Sequence, residues 1–456
     1  MICRIALLTA VWCVLPSAGF AELRVGVFDV DASPPVGSPL AYDPTEGVQT
    51  PLSCRGIVVS GAGEPIVLCA VDWIGIGNAG NRAFREALAV AVGTSAERVA
   101  VHTLHQHDAP RCDFDADDLV REQGLGGVGF DPGFARDVIH RAADAVERAL
   151  ANASPVTHVG TGSGVVEKVA SNRRILGPDG MVLHTRWTAT RDPVIAGFPA
   201  GTIDPEVKLI SFWNGDEAIV ALTYYACHPQ SYYRTGLANP DFPGLARNAR
   251  QEETGVPHVH FNGAGGNIGA GKWNDGSKEN RQVLADRVAE GMKLAWENTE
   301  KTPIGREDVG WGVEPVVLPP AEHLSEESLL EVIQDEDQKS STRFFAAVDL
   351  TWLRRCRAGD TIEITCLSAG PARLLHMPGE LFVEYQLAAQ KLRPDLFVAM
   401  AAYGDYAPGY IGTEVAYTQG GYETSARASQ VAPEVEAVLM SAVASLLEAE
   451  EQADSE

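Results

Sequence analysis

The sequence from residue 99 to residue 110 reads Val99-Ala100-Val101-His102-Thr103-Leu104-His105-Gln106-His107-Asp108-Ala109-Pro110, and this stretch decides the fold. Its first half is apolar and β-branched, which predicts a buried strand, and its second half is polar and ends at a proline. Side chains alternate along a strand, so His105 and His107 would share one face at its carboxyl end. Two imidazoles placed in this way indicate a metal site or a proton-transfer site. Two histidines in a surface loop are the alternative.

Strand and helix patterns alternate around this stretch. Pro65 to Val71 is typical of a strand, and Asn81 to Val92 has helical spacing and stops at Gly93. The order strand, helix, strand indicates a βαβ unit, in which ligands bind at the carboxyl ends of strands. We therefore expect an α/β fold with a mixed β-sheet core flanked by helices, and with the metal site at the carboxyl ends of the strands.

Three further predicted strands end in groups that bind metals or move protons. They are followed by His228, by Glu380 and by the segment from Tyr406 to Tyr410. The first of them belongs to a hairpin that turns at Asn214-Gly215, a strong turn signal. Together with the two histidines after Val101, these groups suit a zinc site of two or three imidazoles and a carboxylate. Such a site lowers the pKa of a bound water and polarises a carbonyl group.

A glycine-rich segment runs from Asn262 to Lys272. Its last seven residues fit the pattern G-x4-G-K, but Trp273 follows where a phosphate-binding loop needs serine or threonine. We therefore reject a nucleotide-binding loop. The segment brings backbone close to another group and offers Asn267 and Lys272 as polar contacts to a substrate.

The amino terminus predicts export. The 456-residue chain is 45% hydrophobic, enough for a large core, and residues 1–21 are typical of a secretory signal peptide. Arg4 gives the positive region, Ile5 to Leu15 the apolar region, and Gly19-Phe20-Ala21 the cleavage site. We expect a secreted or periplasmic protein without a transmembrane helix in the mature chain. An uncleaved anchor is the alternative.

Charge and cysteine content limit the partners. The net charge is −25, and it becomes −26 when Arg4 is removed with the signal peptide. This acidity argues against nucleic acid or an anionic membrane surface as a partner. In an oxidising compartment, Cys54 with Cys69 or Cys356 with Cys366 could form a disulfide, and buried free thiols are the alternative.

In their order, these motifs resemble those of the neutral/alkaline, non-lysosomal ceramidase family. That family carries T-H-T-H-S-G-P, N-R-S, H-G-T-S, G-D-V-S-P-N, P-G-E and Y-x-T-T-x-E-E-Y-x-x-Q-x-Y-E. The matching segments here are Leu104–Pro110, Asn172–Arg174, His228–Ser231, Gly266–Gly271, Pro378–Glu380 and Tyr410–Glu423. The resemblance covers about residues 25 to 425. It implies a single ceramidase-like catalytic domain over residues 22–456.

The resemblance also implies a role for each matching residue. The family's zinc ligands fall on His105, His228, Glu380 and Tyr410. Tyr417 is the alternative to the last of these. The family's histidine for proton transfer and oxyanion contact falls on His107, and its substrate-binding arginine falls on Arg173.

Two departures from the family change the expected chemistry. Gly269 stands where the family has its catalytic serine, and only 34 residues follow Tyr422, where longer members continue into a β-sandwich. We expect direct attack by water at the metal, with His107 as the base. A hydroxyl from Ser231 or Tyr406 in the vacant space, or loss of activity, are the other outcomes. We also expect a substrate smaller or more polar than ceramide.

The leading hypothesis is a secreted, zinc-dependent hydrolase of amide or ester bonds in a small-molecule or lipid-like substrate. His107 and Arg173 would stabilise the oxyanion, and Asn267, Lys272 and Tyr406 would contact the substrate. One alternative is a non-catalytic binding protein on the same scaffold. Another is a metal-dependent hydrolase of a different ester, such as a phosphate, with the arginines at 173 and 174 and Lys272 as anion contacts.

We predict cleavage of the signal peptide after Ala21. The positive, apolar and small-residue regions have the order and lengths that signal peptidase recognises. Amino-terminal sequencing of the exported protein should therefore begin at Glu22. A cytoplasmic protein that still begins at Met1 would refute this prediction.

Overall fold

The computed structural model describes residues 22–448, so the predicted signal peptide lies outside the described residues. The strands are β1 (Arg24–Asp31), β2 (Gly47–Val48), β3 (Ser53–Ser60), β4 (Ile66–Val71), β5 (Gly75–Ile76), β6 (Val99–Thr103), β7 (Arg111–Cys112), β8 (Ser154–Pro155), β9 (His158–Val165), β10 (Ser171–Asn172), β11 (Arg174–Leu176), β12 (Val182–Thr185), β13 (Glu206–Asn214), β14 (Glu217–Tyr225), β15 (Leu237–Ala238), β16 (His258–Asn262), β17 (Ile268–Gly269), β18 (Glu300–Pro303), β19 (Val309–Val316), β20 (Ile362–Ala369), β21 (Ala372–His376), β22 (Glu380–Leu381), β23 (Phe397–Ala401) and β24 (Tyr410–Ile411). The helices are α1 (Asn78–Val92), α2 (Phe114–Arg121), α3 (Pro132–Ala151), α4 (Pro193–Gly197), α5 (Asp241–Thr254), α6 (Lys278–Glu297), α7 (Glu326–Gln334), α8 (Ser340–Ala358), α9 (Val383–Leu392), α10 (Glu414–Thr418) and α11 (Val435–Glu448), with short 3-10 turns at Ala96–Arg98 and Arg306–Asp308.

Three sheets carry the longer strands. Their strand orders are β6-β4-β3-β1-β8, β16-β14-β13-β9-β18 and β19-β20-β21-β23. Each sheet has one parallel pair, namely β4 with β6, β14 with β16, and β21 with β23. The other neighbours within these sheets are antiparallel. The predicted α/β fold with a mixed sheet core is therefore confirmed.

Each parallel pair is joined by a crossover helix: α1 in the first sheet, α5 in the second and α9 in the third. Parallel strands need such a connection because a tight turn reverses the chain direction. The segments that follow the parallel strands carry the predicted site residues. His105 follows β6, His228 follows β14, and Glu380 follows β21. The fold thus delivers one part of the site from each sheet.

The three sheets enclose a shared apolar core. Leu68 of the first sheet, Leu222 and Phe261 of the second, and Leu374 of the third all belong to it and are fully buried. Helices cover the outer faces: α1 and α3 pack on the first sheet, α5 and α6 on the second, and α9 and α11 on the third. Because side chains from all three sheets interdigitate in this core, the carboxyl ends of the parallel pairs are held in fixed relation.

Most predicted elements are confirmed to within a few residues. The helix predicted from Asn81 to Val92 is α1, which ends at Gly93 in the left-handed conformation, with a φ of 69°. The hairpin predicted at Asn214-Gly215 joins β13 to β14, and Gly215 has a φ of 59°. A positive φ at these two turns favours glycine because it has no Cβ.

The prediction that one strand carries both His105 and His107 is wrong, because β6 ends at Thr103. The backbone N–H of His105 donates to the carbonyl of Trp73, and its φ is 66°. This left-handed conformation interrupts the alternation of a strand. The two rings meet through the loop, and their centroids lie 5.2 Å apart.

A buried ion pair fixes the segment against which His105 packs. Asp72 follows β4, and the two terminal nitrogens of Arg247 in α5 donate to its two carboxylate oxygens at 2.7 and 2.9 Å. Ser53 also donates to Asp72, and Gln106 donates to its backbone carbonyl. Burial raises the pKa of Asp72, but the charge of Arg247 and these hydrogen bonds outweigh it and hold the pKa below its ordinary value.

Two further findings concern the membrane and the thiols. Among residues 22–448, no helix has both the length and the apolar composition needed to cross a bilayer. The Sγ atoms of Cys54 and Cys69 lie 3.5 Å apart on neighbouring strands, and both are buried free thiols. These two cysteines are the first of the two disulfide pairs considered from the sequence. They lie side by side as free thiols.

Asp72→Asn should lower the free energy of unfolding by about 3–5 kcal/mol at pH 7, because it leaves a buried arginine without its counter-charge. Urea unfolding measures this change. Since folding lowers the pKa of Asp72, its stabilising contribution is present above the unfolded pKa and is lost as pH falls through the folded one. The difference between wild type and variant should therefore shrink in acid.

Asp137→Asn is the matched control for this prediction. Asp137 pairs with Arg141 at 2.7 Å, and the two side chains are 61% and 37% exposed. Exposed pairs contribute less than about 1 kcal/mol. Equal losses in the two variants would contradict the special role of the Asp72 pair.

Candidate metal centre

His105, His107 and His228 form a buried cluster in which one ring nitrogen of each lies within 4.8 Å of the others. Glu380 joins it, because its Oε2 atom lies 3.3 Å from His105 Nε2 and 3.6 Å from His228 Nδ1. None of the four side chains is more than 6% exposed. Among residues 22–448, no other group of three or more histidines, cysteines or acidic residues is close enough to share a metal ion.

Backbone contacts orient these side chains. The Nδ1 atom of His105 donates to the carbonyl of Ile74 at 2.6 Å, which leaves its Nε2 atom as the bare nitrogen. His228 pairs by a bridge with Gly269, and its N–H donates to the carbonyl of Ile268. Glu380 lies in β22, which pairs in parallel with β24. A metal-binding histidine needs such a partner on its other nitrogen, so His105 is oriented as a ligand.

The cluster fits a metal ion. Glu380 Oε2 is buried and has no hydrogen-bond partner in the described structure. A buried oxygen of an ionised carboxylate is costly without a compensating contact. It faces His105 Nε2, a bare nitrogen, so a cation between the two would satisfy both. Imidazole nitrogens and a carboxylate oxygen are the donors that zinc prefers.

The protonation states also suit a metal. Burial lowers the pKa of His107 and His228 well below the ordinary value, and the neighbouring His105 and Arg173 lower it further. Both rings are therefore neutral at pH 7, the form that binds metal ions. Burial raises the pKa of Glu380, but His105 and hydrogen bonds from tyrosine hydroxyls outweigh it, so this carboxyl has a lowered pKa and is ionised.

Two tyrosines lie at the carboxylate. Tyr410 is opposite Glu380 in the β22–β24 pair, and its hydroxyl accepts a hydrogen bond from Arg173 at 2.9 Å. Tyr406 donates to Glu380 Oε1 at 2.7 Å. The hydroxyl of Tyr417 instead lies 2.9 Å from that of Ser429. The structure thus brings Tyr410 to the cluster and not Tyr417, and it uses Tyr406 to orient the carboxylate.

Arg173 is held on two sides. Its backbone N–H donates to the carbonyl of Asn267 at 2.8 Å, and its Nε atom lies 3.3 Å from Glu423 Oε1. Glu423 is fully buried and also pairs with Arg174 at 3.4 Å. This role of Glu423 was not predicted from the sequence, although Glu423 is the final residue of the last motif.

The predicted substrate contacts Asn267 and Lys272 have protein partners. The Asn267 side chain donates to Glu384 at 2.8 Å and accepts from the N–H of Val383 at 2.9 Å. Lys272 Nζ donates to the carbonyls of Ala196 and Phe198 at 2.5 and 2.6 Å. These contacts fix loops around the site, and the structure does not bring either side chain to the histidine cluster.

Gly269 borders the cluster. A Cβ atom placed on it would lie 3.6 Å from Arg173 Cγ and 4.0 Å from His228 Cβ, both ordinary van der Waals distances. Gly269, Arg173 and His228 line a small pocket, and Thr188 and Gln230 also line it. A Cβ atom at position 269 would thus meet no clash. Of the hydroxyls named from sequence, Ser231 donates to the buried Asp241.

Three residues near His107 were given no role by the sequence, although one of them, Gln230, lies within the matching segment His228–Ser231. Tyr42, 65 positions earlier in the chain, places its hydroxyl 2.9 Å from His107 Nδ1. Gln230 Nε2 lies 3.2 Å from the same nitrogen. Thr188 donates to the Oε1 atom of Gln230. No local pattern marks a single tyrosine, glutamine or threonine, so only the tertiary structure identifies them.

Of the comparisons with known proteins, the one with solved structures found similar proteins. No known family model and no curated protein sequence matches the chain. Among solved structures, a ceramidase complexed with C2 is similar over 95% of this chain and 76% of that one, with a TM-score of 0.68 and 18% identity. The neutral ceramidase from Pseudomonas aeruginosa is similar over 95% of this chain and 75% of that one, with a TM-score of 0.69 and 18% identity. The resemblance predicted from the motifs is thus confirmed at the level of structure: the chain has a ceramidase-like fold.

Proposed function

We propose that this chain is a secreted, zinc-dependent hydrolase of amide or ester bonds. The observation that carries the proposal is a buried cluster of His105, His228 and Glu380 on a fold shared with ceramidases. One carboxylate oxygen of Glu380 in this cluster has no hydrogen-bond partner among residues 22–448. His105, His228, Glu380 and Tyr410 would hold the ion. When bound, zinc lowers the pKa of water and polarises a carbonyl group.

Arg173 supplies a fixed positive charge beside the cluster. Its guanidinium is buried, and Glu423 and Tyr410 hold it at the wall of the pocket that Gly269 lines. A donor that is already oriented stabilises developing negative charge without reorganisation. We infer that Arg173 faces the oxygen of the scissile carbonyl group.

The nucleophile is inferred from the absence of a side chain at Gly269. Thr188 and Gln230 also line this pocket, and the Thr188 hydroxyl donates a hydrogen bond to the Gln230 side chain. We therefore propose that water attacks and that no acyl-enzyme forms. His107 has two open roles in this reaction, as the base that takes a proton from water or as a hydrogen-bond donor to the oxyanion.

The polar pocket wall supports a substrate more polar than ceramide. Thr188 and Gln230 line the pocket together with Trp187, which is 53% exposed. We propose an acylated small molecule or a lipid-like compound with a polar head. A phosphate ester is less suited, because Arg174 pairs with Glu423 and Lys272 is bound to backbone carbonyls.

We predict one zinc ion per chain, lost in His228→Ala. Removal of this imidazole leaves the site without one of its nitrogen donors, and the bound zinc should fall to near zero. Elemental analysis of the purified protein measures it, with circular dichroism to confirm folding. His376→Ala is the matched control, because His376 is 3% exposed and lies outside the cluster. Zinc retained by folded His228→Ala would contradict the assignment.

We predict that Gly269→Ser changes the course of the reaction. The serine hydroxyl would enter the pocket beside Arg173 and His228, where a Cβ atom on residue 269 meets no close contact. With slowly hydrolysed esters, mass spectrometry should detect an acyl-enzyme in this variant and none in wild type. Gly269→Ala fills the same space without a nucleophile and should show none. Tight binding without turnover of any acyl substrate would instead favour the binding-protein alternative.

A further inference from the structure

His107 is held differently from the other two histidines of the cluster. Its Nδ1 atom has two partners, the Tyr42 hydroxyl at 2.9 Å and Gln230 Nε2 at 3.2 Å. The Tyr42 ring also stacks on the imidazole, with centroids 5.8 Å apart and planes 14° from parallel. The Nε2 atom of His107 points into the cluster and lies 2.9 Å from His228 Nε2.

The two partners make Nδ1 an acceptor. The Gln230 amide turns its nitrogen toward His107, and its Oε1 atom accepts a hydrogen bond from Thr188. An amide nitrogen donates hydrogen bonds and does not accept them. Burial raises the pKa of Tyr42 above the ordinary value of a phenol, so its hydroxyl keeps its proton at neutral pH and can donate a hydrogen bond to the imidazole. Both contacts therefore direct donors at the same nitrogen.

The two donors at Nδ1 determine the tautomer of the His107 ring. A neutral imidazole has one N–H and one bare nitrogen, so an acceptor at Nδ1 places the proton on Nε2. His105 is the opposite case, because its Nδ1 donates to Ile74 and leaves Nε2 bare. We propose that Tyr42 and Gln230 are positioning residues that hold His107 as the Nε2–H tautomer, which makes His107 a hydrogen-bond donor and excludes it from the metal ligands.

The distances within the cluster agree with this assignment. The 2.9 Å between the Nε2 atoms of His107 and His228 is a hydrogen-bond distance. Two nitrogens bound to one tetrahedral zinc at about 2.0–2.1 Å would be about 3.3 Å apart. His107 thus donates to His228, whose Nε2 carries no proton and remains a ligand nitrogen. If His228 held a metal through that nitrogen, the N–H of His107 would be available to a substrate oxygen.

The assignment decides between the two roles of His107. A nitrogen that already carries a proton does not take another from water, so His107 acts as the oxyanion donor and not as the base. This role rests on the proposed hydrolase function, whereas the tautomer and the exclusion from the metal do not. The two can therefore be tested separately.

The tautomer is read by nitrogen-15 NMR of protein labelled at histidine, with and without zinc, with His107→Gln used to assign the signal. We expect the two-bond couplings of an Nε2–H ring in wild type. In the double variant Tyr42→Phe/Gln230→Leu, which retains the aromatic ring of residue 42, the Nδ1–H form should become populated. An Nδ1–H ring in wild type would overturn the proposal.

Metal content and kinetics complete the test. His107→Gln and the double variant should each retain one zinc, and loss of zinc from folded His107→Gln would overturn the exclusion. The double variant should lose about 10- to 100-fold in kcat with little change in KM. Tyr233→Phe is the control, because Tyr233 packs edge-on against Tyr42 at 5.1 Å without bonding to His107 Nδ1. It should match wild type in tautomer and in kcat. If no substrate is turned over while the Nε2–H form is found, the hydrolase function fails and the tautomer assignment stands.

Discussion

Burial of the Glu380 carboxylate among imidazoles is the interaction on which the site depends. An ionised carboxylate loses several kcal/mol of hydration in such a place unless other groups compensate it. Tyr406 donates to Oε1, and Oε2 faces His105 with no hydrogen-bond partner in the part of the chain that the structure describes. The protein thus keeps the carboxylate ionised, and a bound cation would contact the oxygen that Tyr406 does not reach.

The charged residues around the carboxylate are also paired with specific partners. Arg173 contacts Tyr410 beside Glu380, and Glu423 balances Arg173 and Arg174 from behind. On the other side, the Asp72–Arg247 pair fixes the segment to which His105 bonds. These buried charges have specific partners and low exposure, so each fixes a geometry more than it adds stability. The fold places them because three parallel strand pairs, each with a crossover helix, end around one shared core.

Much of this arrangement could be predicted from sequence, because apolar runs, the Asn214-Gly215 turn and the helix stop at Gly93 are local signals. The ends of strands marked His105, His228 and Glu380, and tertiary structure was needed only to show that they meet. What sequence missed has a physical reason in each case. The left-handed φ of His105 depends on bonds to the segment after β4, which no local pattern encodes. Tyr42 lies far from His107 in the chain, and it belongs to no periodic sequence pattern that would indicate their contact.

The central claim is that one metal ion is held by His105, His228 and Glu380, while His107 stays outside its ligands. Anomalous diffraction at the zinc edge, from crystals of the zinc-loaded protein, tests this most directly. We expect one peak within about 2.0–2.2 Å of His105 Nε2, a nitrogen of His228 and an oxygen of Glu380, with His107 beyond bonding distance. A peak bound by all three histidines without Glu380, or no peak in this cluster, would contradict it.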